Sequence, residues 1–107
     1  MISKELLSEV LEIRVHETYF RDDGKLGIDY FKGDNNAVGF NSSINTYELA
    51  HKCKEWASSN GFIISSTLCT CNIKTMFNHV PLHNFYGDTE PDAIFKACQH
   101  ILDNKDK

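Results

Sequence analysis

Four side chains able to hold a metal ion fall within one short stretch, LCTCNIKTMFNHVPLH (68–83): Cys69, Cys71, His79 and His83. On a strand, residues i and i+2 face the same way. Two thiolates so placed can both reach a zinc ion at about 2.3 Å. Whether a histidine joins them depends on strand register. A tight turn at Cys71 and Asn72 sets His79 opposite Ile64, about 16 Å from Cys69 at about 3.3 Å per residue. A turn over Asn72 to Thr75 instead sets His79 opposite Leu68 or Cys69, within reach. His83 is separated from His79 by Pro81; in extended chain the two histidines stand about 13 Å apart. The metal reading is therefore a three-ligand zinc site of Cys69, Cys71 and His79, set against the reading that these are ordinary strand and loop residues. A disulfide between Cys69 and Cys71 is disfavoured, because parallel side chains fit the required dihedral near 90° poorly.

The other chemistry-bearing residues have plainer readings. Cys53 and Cys98 share helical faces with apolar residues and read as core, where free cysteine commonly packs as a small hydrophobe. His51 stands between Glu48 and Glu55 at helical spacing, which suits an acid–base group or a solvated helix face. His16 and Glu17 are neighbours on an expected strand and so point apart. No nucleophile elbow, phosphate loop or paired-carboxylate motif occurs. For binding, the segment from Met76 to Tyr86 stands out. Met76, Phe77, Leu82, Phe85 and Tyr86 mix there with His79 and His83 and keep no regular period. Such a mixture suits a protein interface carried on a loop. It equally suits side chains folding back to close the core.

The elements that must position these residues follow from periodicity. A first helix is expected over 3–13, with Ser3 as N-cap and Leu6, Leu7, Val10 and Leu11 as its apolar stripe. Strands over 14–21 and 26–32 form a hairpin about a turn at 22–25, with Leu26, Ile28 and Tyr30 on one face. A second turn, Gly33 to Asn36, leads to a short third strand around Val38 and Phe40. A second helix opens at Asn45, the cap, with Glu48 three residues on. It closes at Gly61. Strands over 62–71 and 73–80 follow, then a loop over 82–88. A last helix is capped by Thr89, with Pro91 in its first turn. The order is α-β-β-(β)-α-β-β-α. It predicts a single α+β domain over 1–107, an antiparallel sheet of four to five strands with three helices packed on it.

Bulk properties bound the function. The chain has 107 residues, 41% hydrophobic and 24% charged, an ordinary globular composition for one domain. Its net charge is −4 and it has no basic stripe. Nucleic-acid binding is thereby disfavoured, since neutralising phosphates needs clustered cations. The opening MISKELLSEV lacks the pattern of an export signal, and no apolar run is long enough to span a bilayer. A cytoplasmic protein with reduced thiols is expected, and its small size suits a homodimer.

Two stretches, INTYELAHKCKEWASSNGF (44–62) and TEPDAIFKACQHILDNK (89–105), resemble a group of small phage and prophage proteins described as α-β-α sandwiches. The matching residues are capping and core positions. The resemblance therefore implies a fold and a setting, and carries no catalytic residue. Taken together, the sequence reads as a non-enzymatic accessory protein of a phage or mobile element acting through protein–protein contacts, with no cofactor. The alternatives are a small metal-binding protein using Cys69, Cys71 and His79, and a self-associating structural protein.

Overall fold

The structure, a computed structural model, describes residues 2–21, 25–31, 38–75 and 83–104. Its elements are α1 (Lys4–Leu11), β1 (Arg14–Phe20), β2 (Lys25–Phe31), β3 (Val38–Asn45), α2 (Thr46–Ser59), β4 (Phe62–Ser66), β5 (Thr70–Thr75), β6 (His83–Tyr86) and α3 (Glu90–Asn104).

The helices begin where their capping residues require. The Ser3 hydroxyl accepts from the Leu6 N–H at 3.1 Å, the Asn45 amide oxygen from the Tyr47 N–H at 2.8 Å, and the Thr89 hydroxyl from the Asp92 N–H at 3.3 Å. Each satisfies a donor that the first helical turn leaves unpaired. α2 ends at Asn60, followed by Gly61 at φ +88°, a left-handed position that costs glycine nothing. α1 ends instead on Glu12, which takes φ 56° without that freedom.

The fold is α+β, with three helices and strands that pair antiparallel. Among the described residues the six strands form two three-stranded sheets, ordered β1-β2-β3 and β4-β5-β6. The expected single sheet of four to five strands is thus corrected in two ways. The third strand is longer than predicted, running alongside β2 from the Phe31↔Val38 pair to Lys25↔Asn45. Its FNSSIN segment hid it, because a strand at a sheet edge needs few apolar residues and Ser42 and Ser43 are exposed. The expected loop over 82–88 also holds a strand, β6, whose four residues are too few to show a period of two. The turn residues Asp22 to Gly24 and Gly33 to Asn36 lie outside the described residues.

The register of β4 and β5 differs from both alternatives read from the sequence. Phe62 pairs with Thr75, Ile64 with Ile73 and Ser66 with Cys71. The turn therefore falls over Thr67 to Thr70, closed by the Thr67 N–H donating to the Thr70 carbonyl at 2.9 Å and by a 2.7 Å contact between the two threonine hydroxyls. Thr67 and Thr70 give this turn its side-chain closure, whereas nothing polar ties a turn at Cys71.

One core joins the helices and sheets. Leu6, Leu7, Leu26, Ile28, Leu49, Ile73 and Ile94 are fully buried in it, with Cys53 and Cys98. α2 and α3 run in the same direction. Thr46 and Pro91, near their starts, line one cavity, and midway along them the Cys98 thiol donates to the Cys53 carbonyl at 3.5 Å. The small residues Ala50, Cys53, Ala57, Ala93, Ala97 and Cys98 are all buried, which lets the helices approach closely. β4, β5 and β6 then carry the chain up, down and up again. Consequently the β4–β5 turn, the end of β6 and the starts of α2 and α3 meet at one end of the molecule.

Candidate functional site

The cysteine pair of the sequence reading is divided by its surroundings. Cys71 sits on β5, buried, and its thiol donates to the Ala93 carbonyl of α3 at 3.1 Å. Burial pushes its pKa from 9.0 up to about 11; Lys54 pulls slightly the other way and Glu90 adds to the rise. The thiolate is the form that attacks or ligates, so this environment holds Cys71 in its inert form. Cys69 lies in the turn, exposed, with a long 3.8 Å contact from its sulfur to the Asp88 carbonyl. His79 lies outside the described residues. Among the described residues no group of three or more His, Cys, Asp or Glu side chains is placed to hold a metal ion.

Cys53 and Cys98 lie wholly inside the core, as their helical positions predict. Cys98 is held strongly protonated, first by its hydrogen bond with Cys53 and then by burial. His51 Nε2 lies 2.9 Å from Glu55 Oε1, but both side chains are about two-thirds or more exposed, at 72% and 67%. That is a solvated pair on an outer helix face, worth a few tenths of a kcal/mol. His16 stacks edge-on against Phe31, with ring centroids 5.2 Å apart, at a bulge between Val15 and Glu17.

Of the segment expected to bind protein, Met76, Phe77, His79 and Leu82 lie outside the described residues. The His83 backbone pairs with Ile73 in β6. Phe85 and Tyr86 take opposite roles, as strand alternation demands. Phe85 turns inward, packed against the core and 5.6 Å from the His100 ring, while Tyr86 stands 65% exposed.

Tyr86 belongs to a larger feature that the sequence reading did not find. A cavity of about 360 Å³ opens at the end where α2 and α3 begin. Phe20 and Leu26, cross-strand partners at the end of the β1–β2 ladder, form one wall. Ile2 and Thr46 lie beside them, and Thr89, Pro91, Asp92 and Phe95 of the α3 start form the facing wall. Six large apolar side chains stand exposed among the described residues, Tyr19, Phe20, Tyr47, Ile63, Leu68 and Tyr86, and of these Phe20 lines the cavity. Tyr19 and Phe20 close β1, Tyr47 follows Thr46, Leu68 tops the β4–β5 turn, and Tyr86 ends β6. Gly87 ties the turn to this end through its N–H, which donates to the Cys69 carbonyl at 2.9 Å.

Charged residues flank this cavity along the chain. Asp92 lines it, and Asp88 and Glu90 sit on the same α3 side. Arg21 and Lys25, both exposed, follow Phe20 and precede Leu26 on the sheet side. Asp92 and Glu90 also complement the α3 dipole. No sequence signal announces this end, because its residues come from six separate stretches that only the fold gathers. Comparison with known proteins adds no assignment: no family model, curated protein or solved structure matches this chain significantly.

Proposed function

We propose that this chain is a non-enzymatic accessory protein that works by binding protein, and that its contact surface is the end where α2 and α3 begin. The observation carrying this reading is the preformed, largely apolar cavity with the well-exposed Phe20 on its wall, at the end of the fold to which the chain order also brings the exposed Tyr47, Leu68 and Tyr86. Exposed apolar side chains are ordinary when scattered; gathered about a concavity they suit a partner. The chemistry of the end favours an apolar partner over an anion. The N-caps of both helices already satisfy a first-turn N–H, and Glu48, Glu90 and Asp92 offset the helix dipoles. The resemblance of residues 44–62 and 89–105 to small phage and prophage proteins supports placing this role in a phage or mobile element, in the cytoplasm.

The test is site-directed photocrosslinking in the native host. A photoreactive residue at Tyr47 should give a discrete adduct with a protein, and the same residue at His51, on the outer face of α2, should give none. The identified partner should bind the purified chain and lose that binding in Phe20→Asp. Equal labelling from both positions, or none from Tyr47, would overturn the reading.

A further inference from the structure

We infer that Cys53 and Cys98 are an oxidisable pair, whose two thiols close into a disulfide that fastens α2 to α3. This modification site lies in the core and is independent of what binds at the cavity end.

Helix packing makes the pair. Cys53 lies on the buried face of α2 between Ala50 and Ala57, and Cys98 on that of α3 between Ile94 and Ile101. Residues three and four apart share a helix face, and the alanines let the two backbones approach. Both cysteines are fully buried. The Cys98 thiol donates to the Cys53 carbonyl at 3.5 Å, and the two side chains hydrogen-bond to each other. No third side chain therefore stands between the sulfurs. The other cysteines are engaged elsewhere. The Cys71 thiol donates to the Ala93 carbonyl at 3.1 Å, and the Cys69 sulfur meets the Asp88 carbonyl at 3.8 Å in the exposed turn. A disulfide needs neighbouring backbones and sulfurs that meet at about 2.05 Å. The helices supply the first, and the sulfurs, already in contact, have only to close.

The chemistry is exchange with a small soluble disulfide such as glutathione disulfide. One cysteine attacks a glutathione sulfur as its thiolate, forming a mixed disulfide and releasing one glutathione. The second cysteine attacks the protein sulfur of the mixed disulfide, the Cys53–Cys98 bond forms, and the second glutathione leaves. The protons given up by the two thiols go to the two departing glutathiones, and two electrons pass from the pair to the oxidant. Burial and the hydrogen bond hold Cys98 protonated, and a close-packed core has no room for a mixed disulfide. Exchange therefore begins when the helices open and finishes as they pack again. In a reducing compartment the pair stays as thiols; under oxidising load it closes. The linked residues are 45 positions apart. A bond across that span constrains the unfolded chain and should lower the unfolding equilibrium constant by about 100- to 1,000-fold.

The test uses the full chain carrying Cys69→Ser, which removes the exposed thiol. Protein is equilibrated in glutathione buffers of increasing oxidised fraction, in urea below the unfolding midpoint so that the helices open. It is then quenched in acid, alkylated, and mapped by proteolysis and mass spectrometry. The expected product is an intramolecular Cys53–Cys98 disulfide, with Cys71 recovered as an alkylated thiol. The oxidised protein should unfold at higher urea than the reduced, and dithiothreitol should return it to the reduced midpoint. Adding Cys71→Ala should keep the link, and adding Cys98→Ala should leave a midpoint that does not rise with oxidation. The mapping needs neither added substitution, so it decides the matter even where one of them fails to fold. A link that maps to Cys71, or glutathione left on Cys53 and Cys98 without closure, would overturn the proposal. So would a Cys53–Cys98 link that fails to raise the urea midpoint.

Discussion

Replacing Gly87 by alanine should destabilise this protein far more than replacing Gly27. Both glycines lack room for a methyl group, so the difference tests what kind of atom occupies the space. A Cβ at Gly87 would lie 2.7 Å from the Ala93 nitrogen and 2.8 Å from the Asp92 Cβ. These belong to the first turn of α3, which is fixed by the Ala93 N–H donating to the Thr89 carbonyl and by the Cys71 thiol on the Ala93 carbonyl. The helix start cannot yield alone, so Gly87 must move, stretching its 2.9 Å bond to the Cys69 carbonyl. Overpacking costs about 1–3 kcal/mol and a weakened hydrogen bond about 1 more. The expected loss is about 2–4 kcal/mol, or roughly 10–20 °C in Tm for a domain of this size. The three atoms nearest a Cβ at Gly27 all belong to the Tyr19 ring, the closest at 2.3 Å. That ring is 38% exposed on an outer strand and can swing away. Alanine also recovers about 0.5–1 kcal/mol of chain entropy relative to glycine within a strand. Gly27→Ala should therefore cost about 1 kcal/mol or less. Urea unfolding and calorimetry on both variants decide the matter. Adding Tyr19→Ala should remove the remaining clash at Gly27, whereas no side-chain truncation should rescue Gly87→Ala. If Gly87→Ala fell within about 0.5 kcal/mol of wild type, or the order of the two reversed, the packing of β6 onto the start of α3 would be wrong.

Three further outcomes follow from the same structure. Asn45→Ala removes the cap of α2 and should cost about 1 kcal/mol in urea unfolding, with Asn45→Ser restoring most of it. In native protein at neutral pH, Cys69 should react rapidly with a maleimide or iodoacetamide and Cys53, Cys71 and Cys98 should lag far behind; equal rates at all four would contradict their burial. Because the folded Cys71 thiol titrates near 11 against an ordinary 9.0, the folded state holds the proton that the unfolded chain releases between those values. Its contribution is complete below pH 9.0 and falls by about 1.4 kcal/mol per pH unit up to about 11. Stability should thus decline with pH in that window, and less steeply in Cys71→Ala; identical slopes would contradict the burial of this thiol.

The parts of the fold written in local chemistry were legible in the sequence. Ser3, Asn45 and Thr89 are capping residues whose partners lie two or three residues away, so the helix starts needed no tertiary information. The same holds for the apolar faces of α2 and α3 and for the alternation of Leu26, Ile28 and Tyr30. What failed was register. Thr67 and Thr70 close the β4–β5 turn through their own hydroxyls and backbone. Neither turn position considered from the sequence, at Cys71 and Asn72 or over Asn72 to Thr75, includes that pair of threonines. The error spread, because a strand's register decides which residues oppose one another along its whole length. Hairpin signals also tell which strands are neighbours without telling whether two meanders share an edge, so the division into two sheets was hidden.

The cavity end was illegible for a different reason. Its residues are unremarkable where they stand: Phe20 ends a strand rich in strand formers, Tyr47 falls on the polar side of a capped helix, and Leu68 lies in a turn. Each alone reads as local structure with one apolar residue to spare. They become a surface because α2 and α3 run the same way, which brings two helix starts, a sheet end and a turn to one place. Parallel helices with capped, acid-bearing starts leave little unmet demand for an anion there. What the cavity offers instead is apolar surface, from Ile2, Phe20, Leu26, Pro91 and Phe95. That is why the informative substitution for the proposed contact lies in Phe20, and not in the cysteines and histidines whose spacing first suggests chemistry.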